Sequence, residues 1–194
     1  MASSDFVIWS AKQMPGICVV TAPGGVDNRE DLTAGLPMAA NWPADVTCTM
    51  DNDFPDDIAL ADSLYGAIER VISPRVKVVL DGAGVSGVEY LPVKIVNHKG
   101  RVAAPDYLIV NPPSVVECVD IEASEVMWNR LQKDLIRRCA RLVVDPAKVP
   151  PKVQLFRLKH VPFLLIARRS LADRLVASGL SGIAFKEPAE FRGA

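Results

Sequence analysis

Short apolar runs separated by turn residues predict a chain built mainly from strands. Such runs, bounded by Gly, Pro, Asn and Asp, are typical of strands, and they read "FVIW", "GICVVTA", "VEYLPVKIV", "VAAPDYLIV", "VVECVDI", "ARLVVD", "VQLFRL", "FLLIA" and "GIAF". The turns "NHKG" (97–100) and "NPPS" (111–114) are short enough to join neighbouring strands as hairpins. Because a hairpin pairs its strands antiparallel, the pattern predicts an α+β fold with a mostly antiparallel sheet and a few short packed helices.

Apolar positions that recur every three or four residues predict the helices. Helices are expected near residues 28–35, over 58–72, after Ser73, over 123–137 and in "SLADRLVAS" from Ser170. Ser73 suits the position before a helix and Pro74 its first turn, where the N–H that proline lacks would have no partner anyway. Asp56 or Asp57 would cap the helix that starts near Ile58. The rest of residues 22–57 is predicted to be irregular.

A seven-residue pattern occurs twice, as "GVSGVEY" (84–90) and "GLSGIAF" (179–185). Each copy follows a predicted helix that opens at a serine. The first glycine suits the left-handed residue that ends a helix, and the second gives a tight entry into a strand. A phosphate loop would precede a helix N-terminus instead. The repeat therefore predicts a helix–turn–strand unit that the fold uses twice, with a structural role.

Composition favours one globular domain in the cytoplasm. The 194 residues are 49% hydrophobic and 23% charged, which argues against disorder. The sequence predicts a single α+β domain over residues 1–194, with residues 1–60 as an irregular N-terminal part. A formal net charge of −1 gives no field that recruits nucleic acid or a membrane, and the start of the chain lacks the pattern of a secretory signal. Four cysteines without a CxxC pair indicate reduced thiols. No cofactor and no metal site are predicted.

Catalytic candidates are few and centre on "VVECVDIEASE". Cys118, Asp120, Glu122 and Glu125 lie in or after a predicted strand, and the chain has only two histidines, at positions 98 and 160. Paired carboxylates can serve acid/base chemistry, and a cysteine–histidine pair can act as a nucleophile. The simpler interpretation is a hairpin with a packed cysteine and with Asp120 or Ser124 capping the next helix.

Two charged clusters remain. "DNDFPDD" (51–57) carries four aspartates but has the wrong residues for an EF-hand loop, which needs a glycine where Asp56 stands. It fits a solvated acidic loop or a surface that contacts a protein. If residues 130–142 are helical, they carry one basic stripe of Arg130, Lys133, Arg137 and Arg141.

Three stretches resemble a known family. "YLIVNPPSVVECVDIEASE", "LVVDPAKVPPKVQLFRL" and "FLLIARRSLADRLVASGLSGIAFKE" are similar to the immunity-protein family of bacterial polymorphic toxin systems (immunity protein family eleven, formerly a domain of unknown function). The resemblance covers residues 73–188 and leaves the first 60 residues outside. It implies a cytoplasmic protein that binds and neutralises a cognate toxin encoded beside it. It supplies no catalytic residue.

We therefore predict that the chain is a non-enzymatic immunity protein whose partner is a cognate toxin. The sequence leaves its oligomeric state open. A toxin that attacks nucleic acid has a basic cleft, which an acidic patch would complement. The predicted contact residues are Asp51, Asp53, Phe54, Asp56 and Asp57, with Trp42 beside them. Two alternatives stay open. One is a small hydrolase or transferase that uses Cys118 or clustered carboxylates, and the other is a nucleic-acid-binding accessory protein that exposes the basic stripe beside a groove.

Overall fold

A computed structural model describes residues 4–193, which form twelve strands and four α-helices. In chain order these are β1 (Phe6–Ala11), α1 (Arg29–Ala34), β2 (Thr47–Thr49), β3 (Ser63–Leu64), β4 (Arg70–Ile72), α2 (Pro74–Gly82), β5 (Glu89–Val96), β6 (Val102–Asn111), β7 (Val115–Val116), α3 (Ile121–Ser124), β8 (Val126–Trp128), β9 (Ile136–Cys139), β10 (Leu155–Leu158), β11 (Val161–Arg168), α4 (Arg169–Ala177) and β12 (Ile183–Lys186). Short 3-10 helices cover Ala39–Asn41, Pro146–Lys148 and Pro188–Glu190. The predicted α+β class is confirmed.

Two five-stranded sheets form the body of the described chain. The first has the strand order β12-β1-β11-β10-β7, the second has the order β2-β5-β6-β4-β3, and β8 and β9 form a separate hairpin. Seven of the nine strand pairs are antiparallel, which confirms the mostly antiparallel pattern. "NHKG" closes the β5–β6 hairpin as predicted. "NPPS" does not form a hairpin, because it leads from β6 in the second sheet to β7 in the first.

The apolar core joins the two sheets. One cluster of buried residues lies with the second sheet and another with the first sheet and the β8–β9 hairpin. The third cluster combines α2 and α4 with strands of both sheets, and its members are Val7, Trp9, Ile72, Val76, Leu80, Val110, Leu155, Leu165, Ala167, Leu171, Ala172 and Leu175. Burial of apolar area is the main favourable term in folding, so this third cluster holds the sheets together.

The repeated glycine pattern has the predicted geometry. Gly84 and Gly179 follow α2 and α4 with φ of 71° and 65°, and Gly87 and Gly182 precede β5 and β12 with φ of 69° and 75°. These are left-handed values that glycine adopts without a steric penalty. The two helices pack against each other. Ser170 does not open α4, because that helix already begins at Arg169.

A buried carboxylate connects the second copy of the pattern to the start of α2. Asp62 accepts hydrogen bonds from the Ser73 hydroxyl (2.8 Å), from Arg75 (3.1 Å), and from both the main-chain N–H and the hydroxyl of Ser181 (2.9 Å each). Ser73 stands at the predicted cap position, yet its hydroxyl serves Asp62 rather than the helix. Burial alone would raise the pKa of Asp62, but these donors together hold it below its ordinary value.

A buried guanidinium makes a second polar connection between the sheets. Arg157 of β10 donates to the carbonyl oxygens of Pro162 (2.7 Å) and Thr33 (3.3 Å), and lies 3.5 Å from the Asn111 side-chain oxygen at the end of β6. Burial lowers the pKa of Arg157 to about 10, which still leaves it charged at neutral pH. Asn111 in turn donates to Glu89 at the start of β5 (2.8 Å).

The helix predicted over residues 58–72 is wrong. This segment holds β3 and β4, joined by an irregular turn. Gly66 in that turn has φ of 119°, and a Cβ on it would lie 2.2 Å from the Val20 carbonyl oxygen. The apolar spacing did not mark a buried face either, since Ile58 and Ile68 are exposed. No helix therefore follows Asp56 and Asp57.

The helix predicted over residues 123–137 is also wrong. Glu125 has φ of 51°, which ends α3 after one turn, and β8 and β9 follow. Ile136 and Cys139 are buried from β9 in the core beside the first sheet. Long-range burial outweighs a local helical spacing, so the basic residues of this region do not form one helical stripe.

Three strand predictions need smaller corrections. "VVECVDI" contributes only β7, at the edge of the first sheet, and Asp120 then caps α3 by accepting from the Ala123 N–H at 3.0 Å. "ARLVVD" has no strand, only a bridge from Val144 to Val119. "GICVVTA" likewise makes isolated bridges. The short helix near residues 28–35 is confirmed as α1.

Replacing Asp62 with Asn is expected to destabilise the fold by about 2–3 kcal/mol at pH 7. The amide presents a donor in place of one of two accepting oxygens. Asp62 Oδ1 accepts from Ser73 (2.8 Å) and Arg75 (3.3 Å), and Oδ2 accepts two bonds from Ser181 and one from Arg75 (3.1 Å). Because the folded pKa of Asp62 is depressed, its contribution is complete above the ordinary value of 3.8 and is lost as pH falls through the folded pKa. The difference in the free energy of unfolding between wild type and Asp62→Asn should therefore become smaller below about pH 4. Denaturant unfolding at several pH values measures both quantities.

Asp81→Asn is the matched control, because Asp81 forms an exposed pair with Lys77 (2.6 Å). Its loss should change stability by about 0.5 kcal/mol or less. Equal stability of wild type and Asp62→Asn at pH 7 would contradict the role assigned to Asp62.

Candidate functional site

The acidic segment, residues 51–57, forms a compact turn after β2. The Asp51 N–H donates to the Val19 carbonyl oxygen (2.8 Å), and its side chain accepts from the Asp53 N–H (3.0 Å). The Phe54 N–H donates to the Asp51 carbonyl oxygen (3.1 Å). These bonds fix the backbone, so the carboxylates have defined positions at the surface.

Three of the four aspartates are available for contact. Asp53 and Asp56 are exposed and Asp51 is half-buried. None of these three is in an ion pair with any residue of the described range. Asp57 differs, because it accepts from the Gly16 N–H at 2.8 Å and so holds the N-terminal segment. Next to it, the apolar side chain of Ile58 is 63% exposed.

The two aromatic residues predicted to flank this segment are half-buried. Trp42 packs against the core of the second sheet, and its indole N–H donates to the Pro92 carbonyl oxygen at 2.8 Å. No described hydrogen bond or ion pair links it to the acidic segment. Phe54 is half-buried within the turn. The structure thus separates exposed carboxylates from aromatic groups that serve the fold.

Cys118 has the environment of a packed thiol. It is fully buried, and its Sγ lies 3.8 Å from the Val116 carbonyl oxygen. Burial, and to a lesser degree the charge of Asp145, raises its pKa to about 11. His98 contacts Asn52 instead, and the contacts of His160 are the Asp134 carbonyl oxygen (2.8 Å) and Glu117 (3.7 Å). The predicted nucleophile and the histidines are therefore not brought together by any described hydrogen bond.

Two carboxylates near Cys118 have structural partners, whereas the side chains of Glu122 and Glu125 are exposed and make no described hydrogen bond or ion pair. Glu117 pairs with Lys159 at 2.7 Å, and that hydrogen bond lowers the Glu117 pKa. Asp120 caps α3. Across residues 4–193, no group of three or more His, Cys, Asp and Glu side chains is placed to hold a metal ion.

A cleft of about 480 Å³ lies beside β1, β11 and β12. The loop between β3 and β4 and the segment after Pro188 form its walls, with Tyr65, Ile68 and Phe163 as apolar lining and Arg70 and Lys186 as basic groups. Its described lining contains no histidine and no cysteine. Ser10, Glu190 and Arg192 also line the cleft, so its charge is mixed. The described hydrogen bond of the Ser10 hydroxyl goes to the Ala11 carbonyl oxygen (3.4 Å) and not to a basic group.

The β8–β9 hairpin is the feature that sequence reasoning missed. Its exposed residues are Met127, Trp128, Arg130, Leu131, Gln132, Lys133, Asp134, Arg137 and Arg138. Arg141 lies outside it and donates to the Ala123 carbonyl oxygen at 3.2 Å. The one local signal was Asn129, whose side chain accepts from the N–H groups of Leu131 and Gln132 and so forms a turn inside the predicted helix.

Cys118 is expected to resist alkylation in the folded protein. With a pKa of about 11, its thiolate at pH 8 is on the order of a hundredfold rarer than that of a thiol with the ordinary pKa of 9.0. Burial also blocks access to the sulfur. Iodoacetamide labelling followed by peptide mass spectrometry, with and without denaturant, measures the ratio. Rapid labelling of Cys118 in the native protein would contradict this prediction and would support Cys118 as a nucleophile.

Comparison with protein families shows which one this chain resembles. No curated protein is significantly similar to the chain. The model of the immunity protein family (Imm11) matches residues 49–190, which is well over half of the chain. The match begins before the acidic segment, so the expectation that this segment lies outside the family pattern is wrong. No helix within residues 4–193 has the length and apolar character needed to cross a bilayer. The chain belongs to the immunity protein family Imm11.

Proposed function

We propose that this protein binds a cognate toxin in the cytoplasm and neutralises it by occupying its surface, without chemistry of its own. The family match carries the proposal, because it runs from the end of β2 to beyond β12 and so includes every strand of the two sheets except β1 and most of β2. The four free, buried cysteines are in keeping with a reducing compartment. The partner proposed is the protein encoded beside this chain.

Two features of the side chains support binding rather than catalysis. The candidate nucleophile Cys118 is buried with a raised pKa, which keeps it a neutral thiol. Charged groups that have no partner within the described range lie instead at the surface, in the acidic segment and on the β8–β9 hairpin. Surface charge of this kind steers association and selects partners.

We propose the acidic segment as one contact surface for the toxin. Asp51, Asp53 and Asp56 supply the negative charge, and the exposed Ile58 supplies apolar area beside them. Asp57 and Phe54 contribute by hydrogen bonds that hold the backbone of this turn, while Trp42 bonds to Pro92 in the second sheet. A basic cleft on the partner would approach such a patch faster than a neutral one.

Protection by this chain should not depend on its candidate catalytic residues. In cells that express the neighbouring open reading frame, Cys118→Ser and the double variant His98→Gln/His160→Gln should protect as wild type does, provided they fold. Cys118→Ser is expected to lose about 1–3 kcal/mol of stability, which a thermal melt reports. Loss of protection with unchanged melting temperature and partner affinity would point to chemistry. Failure of wild type to protect would refute the proposed function.

The double variant Asp51→Asn/Asp53→Asn should bind the same partner more slowly. Asparagine keeps the oxygen that accepts the Asp53 N–H bond, so the turn is preserved while two charges are removed. Stopped-flow association at low salt should show roughly a 3–10-fold slower rate, and the difference should vanish in about 0.5 M salt.

Asp106→Asn/Asp173→Asn is the control for net charge, since both residues are exposed and lie away from the acidic segment in sequence. It should associate at nearly the wild-type rate. Equal rates for wild type and Asp51→Asn/Asp53→Asn at low salt would exclude the acidic segment as a contact.

A further inference from the structure

The β8–β9 hairpin displays large apolar side chains at the surface. Leu131 is 94% exposed and Met127 is 56% exposed, and Trp128 beside them is also exposed. Tryptophan and methionine are enriched in protein interfaces, and tryptophan is also enriched among the residues that dominate binding energy. With the four basic residues of the hairpin they form what we call the hairpin surface: Met127, Trp128, Arg130, Leu131, Lys133, Arg137 and Arg138.

The tip of the hairpin is held in one conformation. The Asn129 side-chain oxygen accepts from the N–H groups of Leu131 (2.9 Å) and Gln132 (3.2 Å), and the Asn129 N–H donates to the Leu135 carbonyl oxygen (2.8 Å). The Leu135 N–H donates back to Gln132 (2.9 Å). Leu131 therefore lies on an ordered turn and not on a flexible loop.

The base of the hairpin is fixed to the first sheet. The Ile136 N–H donates to the His160 carbonyl oxygen (2.9 Å), and the His160 ring contacts the Asp134 carbonyl oxygen (2.8 Å). The same ring meets Trp128 edge-on at 5.2 Å. On the other side, the Cys139 N–H donates to the Arg192 carbonyl oxygen (3.0 Å). A surface that is already ordered loses little conformational entropy when a partner binds.

The basic side chains of the hairpin surface favour a partner with negative charge. Arg130, Lys133, Arg137 and Arg138 are exposed, and none of them is in an ion pair within residues 4–193. Elsewhere, the lysines at 77, 94, 148 and 159 each pair with a carboxylate, whereas the exposed lysines at 12, 99, 152 and 186 stand singly, without a described ion pair. The only acidic residue between 126 and 139 is Asp134. A complementary partner surface is therefore rich in carboxylates.

We propose that the hairpin surface inserts Leu131 into an apolar pocket of the toxin that is bordered by Asp or Glu side chains. This inference rests on the proposed function, and it adds a second contact of opposite charge to the acidic segment. A protein fits better than a nucleic acid, because Leu131 and Met127 are aliphatic and cannot stack on bases as aromatic rings do. The one aromatic ring already packs against His160.

Kinetics with the purified product of the neighbouring open reading frame test the proposal. Leu131→Ala and the double variant Arg130→Glu/Lys133→Glu should each weaken binding roughly tenfold or more, with the alanine effect mainly in the dissociation rate. These side chains are exposed, so thermal melts should match wild type. Val176→Ala controls for an exposed apolar residue, and Lys12→Glu/Lys152→Glu controls for charge reversal at exposed sites. Both controls should bind within about twofold of wild type.

Each outcome separates the two proposals. If wild type binds and the hairpin variants bind equally well, the hairpin inference is overturned and the proposed function stands. If wild type does not bind, the result contradicts both the proposed function and the hairpin inference. A mixed-sequence single-stranded oligonucleotide is titrated in parallel, and hairpin-dependent binding to that probe would assign the surface to nucleic acid and overturn the inference.

Discussion

The carboxylate of Asp62 fixes the geometry on which the rest of the fold depends. Its acceptor atoms join Ser73, at the start of α2, to Ser181, in the second glycine turn, although these residues are far apart in sequence. The same turn donates the Ser181 hydroxyl hydrogen to Asp62 and accepts the Ser63 N–H. The first and second sheets meet here, and α2 and α4 share a buried apolar cluster with strands of both. A buried charge is tolerated only with such complete pairing, so the position of Asp62 sets how the two sheets are joined.

The two joined sheets also anchor the acidic segment and the β8–β9 hairpin, which are ordered although their sequences are irregular. The acidic segment is held by main-chain bonds to Val19 and by Asp57, and the hairpin is held by His160 and the residues near Arg192. Two surfaces of opposite charge on one framework can select a partner by orientation as well as by sign. For a family of immunity proteins, this arrangement supports recognition by shape and charge, while the buried Cys118 and the paired Glu117 serve the fold.

Features set by neighbouring residues could be predicted, and features set by distant ones could not. The glycine pairs at 84/87 and 179/182 and the "NHKG" hairpin follow from local backbone preferences, as does the start of α2 at Pro74. The helix predicted over 58–72 failed because Gly66 meets Val20, which no local pattern reveals. The hairpin was missed because Ile136 is buried in a cluster with residues of β1, β10 and β11, which lie far from it in the sequence. At the candidate site, the exposed aspartates were predictable from composition, but the bond from Trp42 to Pro92 was not.

Amide hydrogen exchange of the protein with and without the product of the neighbouring open reading frame tests the central claim, which is neutralisation by binding through these two surfaces. The account predicts slower exchange on binding within residues 51–58 and 126–139, with α2 and α4 unchanged. Protection confined to the walls of the 480 Å³ cleft, or no protection anywhere at saturating partner, would contradict it.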